Sequence, residues 1–221
     1  MAVMQMVKRI FYWLNIGGAI AYIAFCGVRL AQGHETFPNQ MQLMVQVASG
    51  IIIASLPLII ERVTKRRLPD VLVALYEVFI LMAILLGTGM RAYSIQYWDK
   101  IEHIFSAGIL AGTGYMIFAA LTPDDQLART NPALIAIFAT VFGISIGVFW
   151  EFYEFSGDSL LGMNMQRYMA HGHALVGQAA LYDTMGDLLM DVLGSVALGV
   201  YGYFALRKNR RWLDTFKLRR Q

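Results

Sequence analysis

The chain has 221 residues, of which 57% are hydrophobic and only 15% charged, with a mean hydropathy of +0.53. Soluble domains carry roughly 25% charged residues, so the deficit excludes an ordinary water-soluble domain and makes lipid the expected solvent. The formal charge of +3 is modest, and a single cysteine, Cys26 in an apolar run, excludes a disulfide framework and a cysteine-based metal site.

The N-terminal run "MAVMQMVKRIFYWLNIGGAIAYIAFCG" sets basic residues before a long apolar segment. That segment is too long for a signal-peptide core and no A-x-A-like site follows it, so it reads as a retained first helix. A spanning helix takes about 20 largely apolar residues, and five further segments qualify. The expected spans are 9–31, 41–60, 70–90, 101–121, 132–155 and 183–206. They predict an all-α, polytopic membrane helix bundle, with residues 1–221 forming a single integral membrane domain.

Lysine and arginine placement orients the spans. One set of alternate loops holds Lys8, Arg9, Arg62, Lys65, Arg66, Arg67, Arg129 and a tail with Arg207, Lys208, Arg210, Arg211, Lys217, Arg219 and Arg220. The other holds only Arg29, Arg91, Lys100 and Arg167. Both termini are therefore expected in the cytoplasm. The basic tail reads as an anchor beside anionic lipid rather than a nucleic-acid contact. Small residues recur at helix-packing spacing, Gly108 with Gly112, Gly143 with Gly147 and Ser195 with Gly199, and predict close approach among the last three helices.

Three polar stretches interrupt the apolar pattern. "WDKIEHIFSAG" opens the fourth span, with Asp99 and His103 four apart. "FWEFYEFSGDS" closes the fifth, with Glu151, Glu154 and Asp158 at i, i+3 and i+7. "YDTMGDLLMDVLG" opens the sixth, with Asp183, Asp187 and Asp191 at i, i+4 and i+8. On continuous helices each set occupies one face. The topology puts all three at the extracytoplasmic end, and the aspartate ladder descends about 12 Å toward mid-bilayer. Glu102, about 100° around the helix from His103, is expected to face solvent, and Glu77 to lie outside the cluster.

Carboxylates so gathered repel one another, and Arg91, Lys100 and Arg167 are too few to balance them. Oxygen ligands with an imidazole suit Mg²⁺, Mn²⁺, Fe²⁺ or Zn²⁺. The expected metal ligands are Asp99, His103, Glu151, Glu154, Asp183, Asp187 and Asp191; a protonated, hydrogen-bonded network without metal is the alternative. His171 and His173, in the long 156–182 connection, are weaker candidates for further ligands or a proton relay.

The three ordered motifs, D-x-x-x-H, W-E-x-x-E and D-T-x-x-D-x-x-x-D, resemble those of the YjdF-like family of uncharacterised bacterial inner-membrane proteins over about residues 70–205. The resemblance implies a polytopic inner-membrane protein and supplies no substrate. "GDLLMDVLG" is also similar to half of the CDP-alcohol phosphatidyltransferase motif, but the D-G-x-x-A-R half is missing, so this reads as local convergence.

With no G-x-S-x-G or H-E-x-x-H run, a serine hydrolase or zincin is not expected. The preferred function is a metal-dependent intramembrane hydrolase or transferase of a lipid-linked substrate, with His103 or Glu154 as general base. A divalent-cation or proton transporter, and a metal-responsive partner of another membrane protein, remain alternatives.

Overall fold

Residues 2–220 are described by a computed structural model. Among these described residues six helical spans are long and apolar enough to cross a membrane, as the hydropathy predicts: α1 (Ala2–Ala31), α2 (Gln40–Thr64), the span that α3 (Asp70–Ile80) opens, α4 (Trp98–Leu121), α6 (Pro132–Leu161) and α7 (Gln178–Lys208). The α3 span is completed by a π-helical segment, Leu81–Gly89, and a single helical turn, α5 (Asp124–Leu127), links α4 to α6. The protein is an all-α, multi-pass membrane protein.

The chain divides into two compact units. One holds the first three spans and the C-terminal residues from Thr215, and the other runs from Asp99 to Asp214. In the first, Asn15 of α1 donates to both the backbone carbonyl and the carboxyl of Glu77, each at 2.9 Å. A carboxyl 2% exposed in a membrane helix needs such a donor. Glu77 thus has its own partner in this unit. The tail joins it through a short antiparallel pairing of β1 (Arg66–Arg67) with β4 (Arg219–Arg220).

In the second unit the helix ends explain two displaced boundaries. Asn131 caps α6 by accepting from the Ala133 N–H at 2.9 Å, with Pro132 in the first turn. The helix then runs to Gly162, whose φ of 63° closes it in the left-handed conformation. It therefore passes six residues beyond the expected end at 155, and α7 starts five before the expected 183. Asp158, outside the expected span, is helical and buried, as are Glu154 and Asp183 at the expected span ends. The connection shrinks to 162–177 and contains a small hairpin, β2 (Met169–Ala170) with β3 (His173–Ala174).

Glycines set how closely α4, α6 and α7 approach. A Cβ on Gly194 would strike the backbone carbonyl of Ile104, and one on Gly199 would strike Thr140 Oγ1. Gly143 lies against Ser195 and the backbone of Ala107 and Ala111. Gly108, expected to pair with Gly112 in close packing, instead faces open space. Gly194→Ala is therefore expected to destabilise by about 1–3 kcal/mol through overpacking, despite the better helix propensity of alanine. Gly108→Ala should be neutral or stabilising by up to about 1 kcal/mol. Thermal melts of the two variants in detergent check the pair, and equal melts would remove the packing argument.

Candidate functional site

All three polar stretches lie within the second unit, so their mutual geometry is fixed by its own packing. The first two turns of α4 supply Asp99, Lys100 and His103. Successive turns of α7 supply Asp183, Asp187 and Asp191, which are 8%, 1% and 2% exposed although acidic. The C-terminal part of α6 supplies Glu151, Glu154 and Asp158, all buried. Two glycines admit these side chains. Gly147 leaves the space filled by the Asp191 carboxyl, and Gly186 lies against the Lys100 stem, where a Cβ would stand 3.1 Å from Cε.

His103 is the centre of the arrangement. Its Nδ1 lies 3.2 Å from Asp191 Oδ1, while Nε2 faces Asp187 Oδ1 at 3.6 Å and Asp99 Oδ1 at 4.0 Å. Lys100 Nζ donates to Asp183 Oδ1 and Asp187 Oδ1, each at 2.7 Å, and to the Asp183 carbonyl at 3.2 Å. It also lies 3.4 Å from Asp99 Oδ2. Arg167, from the connection, approaches Asp99 Oδ2 at 3.5 Å and Asp183 Oδ1 at 3.8 Å.

The two glutamates differ. Glu154 Oε1 accepts from the indole N–H of Trp150 one turn earlier, at 2.9 Å. Glu151 Oε2 accepts from the Gln166 amide at 3.3 Å, while its Oε1 is buried without a partner among the described residues. Asp183 Oδ2 and Asp191 Oδ2 are likewise unpartnered. Buried polar oxygens are normally satisfied, so three orphaned carboxylate oxygens in one cluster point to a missing positive charge or donor.

The donor set fits a divalent metal. One ligand atom each from Asp99, His103 and Asp187 lie within 4.8 Å of one another. Two ligands held at about 2.0–2.2 Å from one ion stand roughly 3–4 Å apart, the range of the His103 Nε2 separations. The Asp191 contact at Nδ1 supplies the carboxylate that commonly orients a metal-binding histidine. The geometry thus separates the seven expected ligands. It groups three around Nε2, sets Asp191 behind the imidazole and Asp183 against Lys100, and leaves Glu151 and Glu154 on α6.

Asp158 takes a different part. Both of its oxygens accept backbone N–H groups, Met165 at 2.7 Å and Gln166 at 3.0 Å, so it pins the connection. His171 and His173 stand exposed on the hairpin. Glu102, expected in solvent, is 4% exposed and has an interaction partner. The expectation failed because the buried arc of α4 takes in Glu102, His103, Ala107, Ile109 and Ala111, which is wider than one helical stripe.

Lys100 is the side chain of this cluster that sequence reasoning undervalued, as an interfacial cation. Its signal was electrostatic: a lysine in the first helical turn opposes the helix dipole, so its place there needs carboxylates to hold it. Gln166 had no comparable signal, because the turn pinned by Asp158 brings it to Glu151.

The family profile described as "Predicted membrane protein (DUF2238)" matches residues 15–208. A protein of Thermotoga maritima described only as "Uncharacterized protein" is 26% identical over 149 residues, covering 66% of this chain and 69% of its own. No solved structure matches the chain.

Proposed function

The chain belongs to the DUF2238 family of predicted membrane proteins, and from the cluster it carries we propose that it is a metal-dependent intramembrane hydrolase or transferase acting on a lipid-linked substrate. The observation carrying this reading is the two-sided use of His103, with Asp191 at Nδ1 and two carboxylates facing Nε2. Asp99, His103 and Asp187 would hold a divalent cation, Mg²⁺, Mn²⁺, Fe²⁺ or Zn²⁺, which supplies Lewis acidity to a phosphoryl or acyl group. Glu151, with one oxygen unpartnered, takes the proton of the attacking water or alcohol. This role suits Glu151 better than the two bases named from sequence, since both His103 nitrogens face carboxylates and Glu154 is held by Trp150.

The placement of lysine and arginine supports an orientation with both termini in the cytoplasm and the cluster at the extracytoplasmic face. The three matching motifs support the YjdF-like likeness and a bacterial inner membrane as the location. A cation path, the main alternative, is less well supported. Inward of Asp191 the buried positions of α7 are Gly194, Ser195, Gly199, Gly202 and Leu206, and Ser195 is already bonded to the Ala107 carbonyl. Ion paths need polar groups through the membrane, so a cluster with no charged residue inward of it among the buried positions of α7 favours chemistry over passage.

Purified protein analysed for metal by mass spectrometry should retain about one divalent ion per chain, and Asp99→Ala with Asp187→Ala should retain none. Metal-free wild type that cannot be reloaded sinks the mechanism. Metal-dependent cation flux into proteoliposomes, lost on replacing Glu151, would establish transport in its place.

A further inference from the structure

We propose that the lipid-linked substrate carries a phosphate group, held by Arg167 and Lys100 at the mouth of the cluster; the inference rests on the metal-site reading above and adds the substrate class. Arg167 is a positioned residue rather than a passing surface charge. The buried Asp158 carboxylate, at 6% exposure, fixes the two preceding residues by their N–H groups at 2.7 and 3.0 Å. Arg167 itself has a φ of 49°, an uncommon conformation for a non-glycine residue that tends to occur where function demands it.

Its ion pairs are loose. At 3.5 and 3.8 Å the contacts to Asp99 and Asp183 lie beyond good hydrogen-bond range, and neither is a bidentate fork. The side chain is 42% exposed, and no contact with the terminal Nη1 is among its two ion pairs, so the guanidinium is reachable by an incoming anion. A guanidinium prefers planar, two-pronged contact with phosphate or carboxylate, whereas an ammonium binds phosphate as a point charge. Arg167 and Lys100 meet at the same carboxylates, Asp99 and Asp183. An anion bridging the two cations would therefore stand directly beside the Asp99, His103 and Asp187 ligand atoms.

The anion must bring enough charge to compete with aspartates already contacting both cations. A phosphate offers three oxygens and up to two charges, one oxygen each for Arg167, Lys100 and the metal. A carboxylate offers two. The lipid part follows from the flanks: Phe152, Phe155, Leu160, Leu181, Tyr182 and Met185 are exposed on the same stretches of α6 and α7. Acyl chains along these faces would bring a headgroup to the helix ends joined by the connection that carries Arg167.

The test uses the full chain in phosphatidylcholine nanodiscs with its metal content measured throughout. The probes are dioctanoyl phosphatidate, dioctanoylglycerol and inorganic phosphate. Wild type should bind the phosphatidate at least tenfold more tightly than the other two. Arg167→Gln should lose at least tenfold of that affinity with metal content unchanged, and Arg167→Lys should recover part of it. Phosphatidate binding no tighter than dioctanoylglycerol, in metal-loaded protein, overturns the phosphate assignment and leaves the metal reading standing. Inorganic phosphate binding as tightly as the lipid overturns the lipid source. Arg167→Gln that keeps wild-type affinity, or that loses metal as well, overturns the clamp. A wild type without metal fails at the earlier step, visibly so.

Discussion

Asp191→Asn is expected to weaken metal retention about 10–100-fold while leaving the helices in place, because it removes the orienting partner of His103 and not a ligand. Asn can still accept a hydrogen bond from Nδ1–H, so the ring stays near its position, but the negative charge that makes the imidazole a better donor to metal is gone. Asp187→Asn should be far more severe. It neutralises an oxygen that faces His103 Nε2 at 3.6 Å and Lys100 at 2.7 Å, and titrated metal should find no site in the stoichiometric range. The graded result, one variant weakened and the other empty, distinguishes an oriented histidine ligand from a diffuse pool of negative charge. A diffuse pool would respond equally to either loss. Isothermal titration of the stripped protein with Mn²⁺ and Zn²⁺ reads both variants, and equal affinities for the two would end the division of roles.

The spans were legible because apolar length is a strong signal in a lipid protein: each of the six expected segments is a helix. The three-motif convergence was legible for a related reason. Carboxylates at i, i+4 and i+8 cannot leave one helix face, and burial of Asp183, Asp187 and Asp191 follows from that face meeting α4 and α6. Boundaries were misjudged where polarity was taken as a mark of water. Asp158 is polar because the connection needs an anchor, and α6 continues through it to Gly162. The division into two units left no trace in composition, since both are built from apolar spans of similar length. Lys100 was hidden by averaging: counted among loop cations it is one of four, yet its ammonium sits among three aspartates. Pairing depends on which side chains a glycine admits, and Gly186 beside Asp187 gave no hint of that until Lys100 was seen against it.

Lys100→Met should cost about 3–5 kcal/mol in protein stripped of metal, because it leaves buried carboxylates without their partner. Asp187 is 1% exposed at its side chain and Asp183 11%, so water replaces the lost ammonium only in part. The same substitution should cost less in metal-loaded protein. A divalent ion at Asp99, His103 and Asp187 takes over much of the charge that Lys100 neutralises, and a ligand bound only by the folded state adds its own stabilisation. Asp183→Asn in the Lys100→Met background should recover part of the loss, since one unpaired charge is removed with little change in volume. These three measurements, by denaturant or thermal unfolding in detergent with and without a chelator, form a closed set. Equal destabilisation with and without metal would mean that the ion does not share Asp187 with Lys100. A loss under about 1 kcal/mol in stripped protein, typical of exposed ion pairs, would mean that the cluster is solvated and that burial does not set its electrostatics. A large loss relieved by metal and by Asp183→Asn would instead identify Lys100 as the cation that keeps an acidic site folded until the metal arrives.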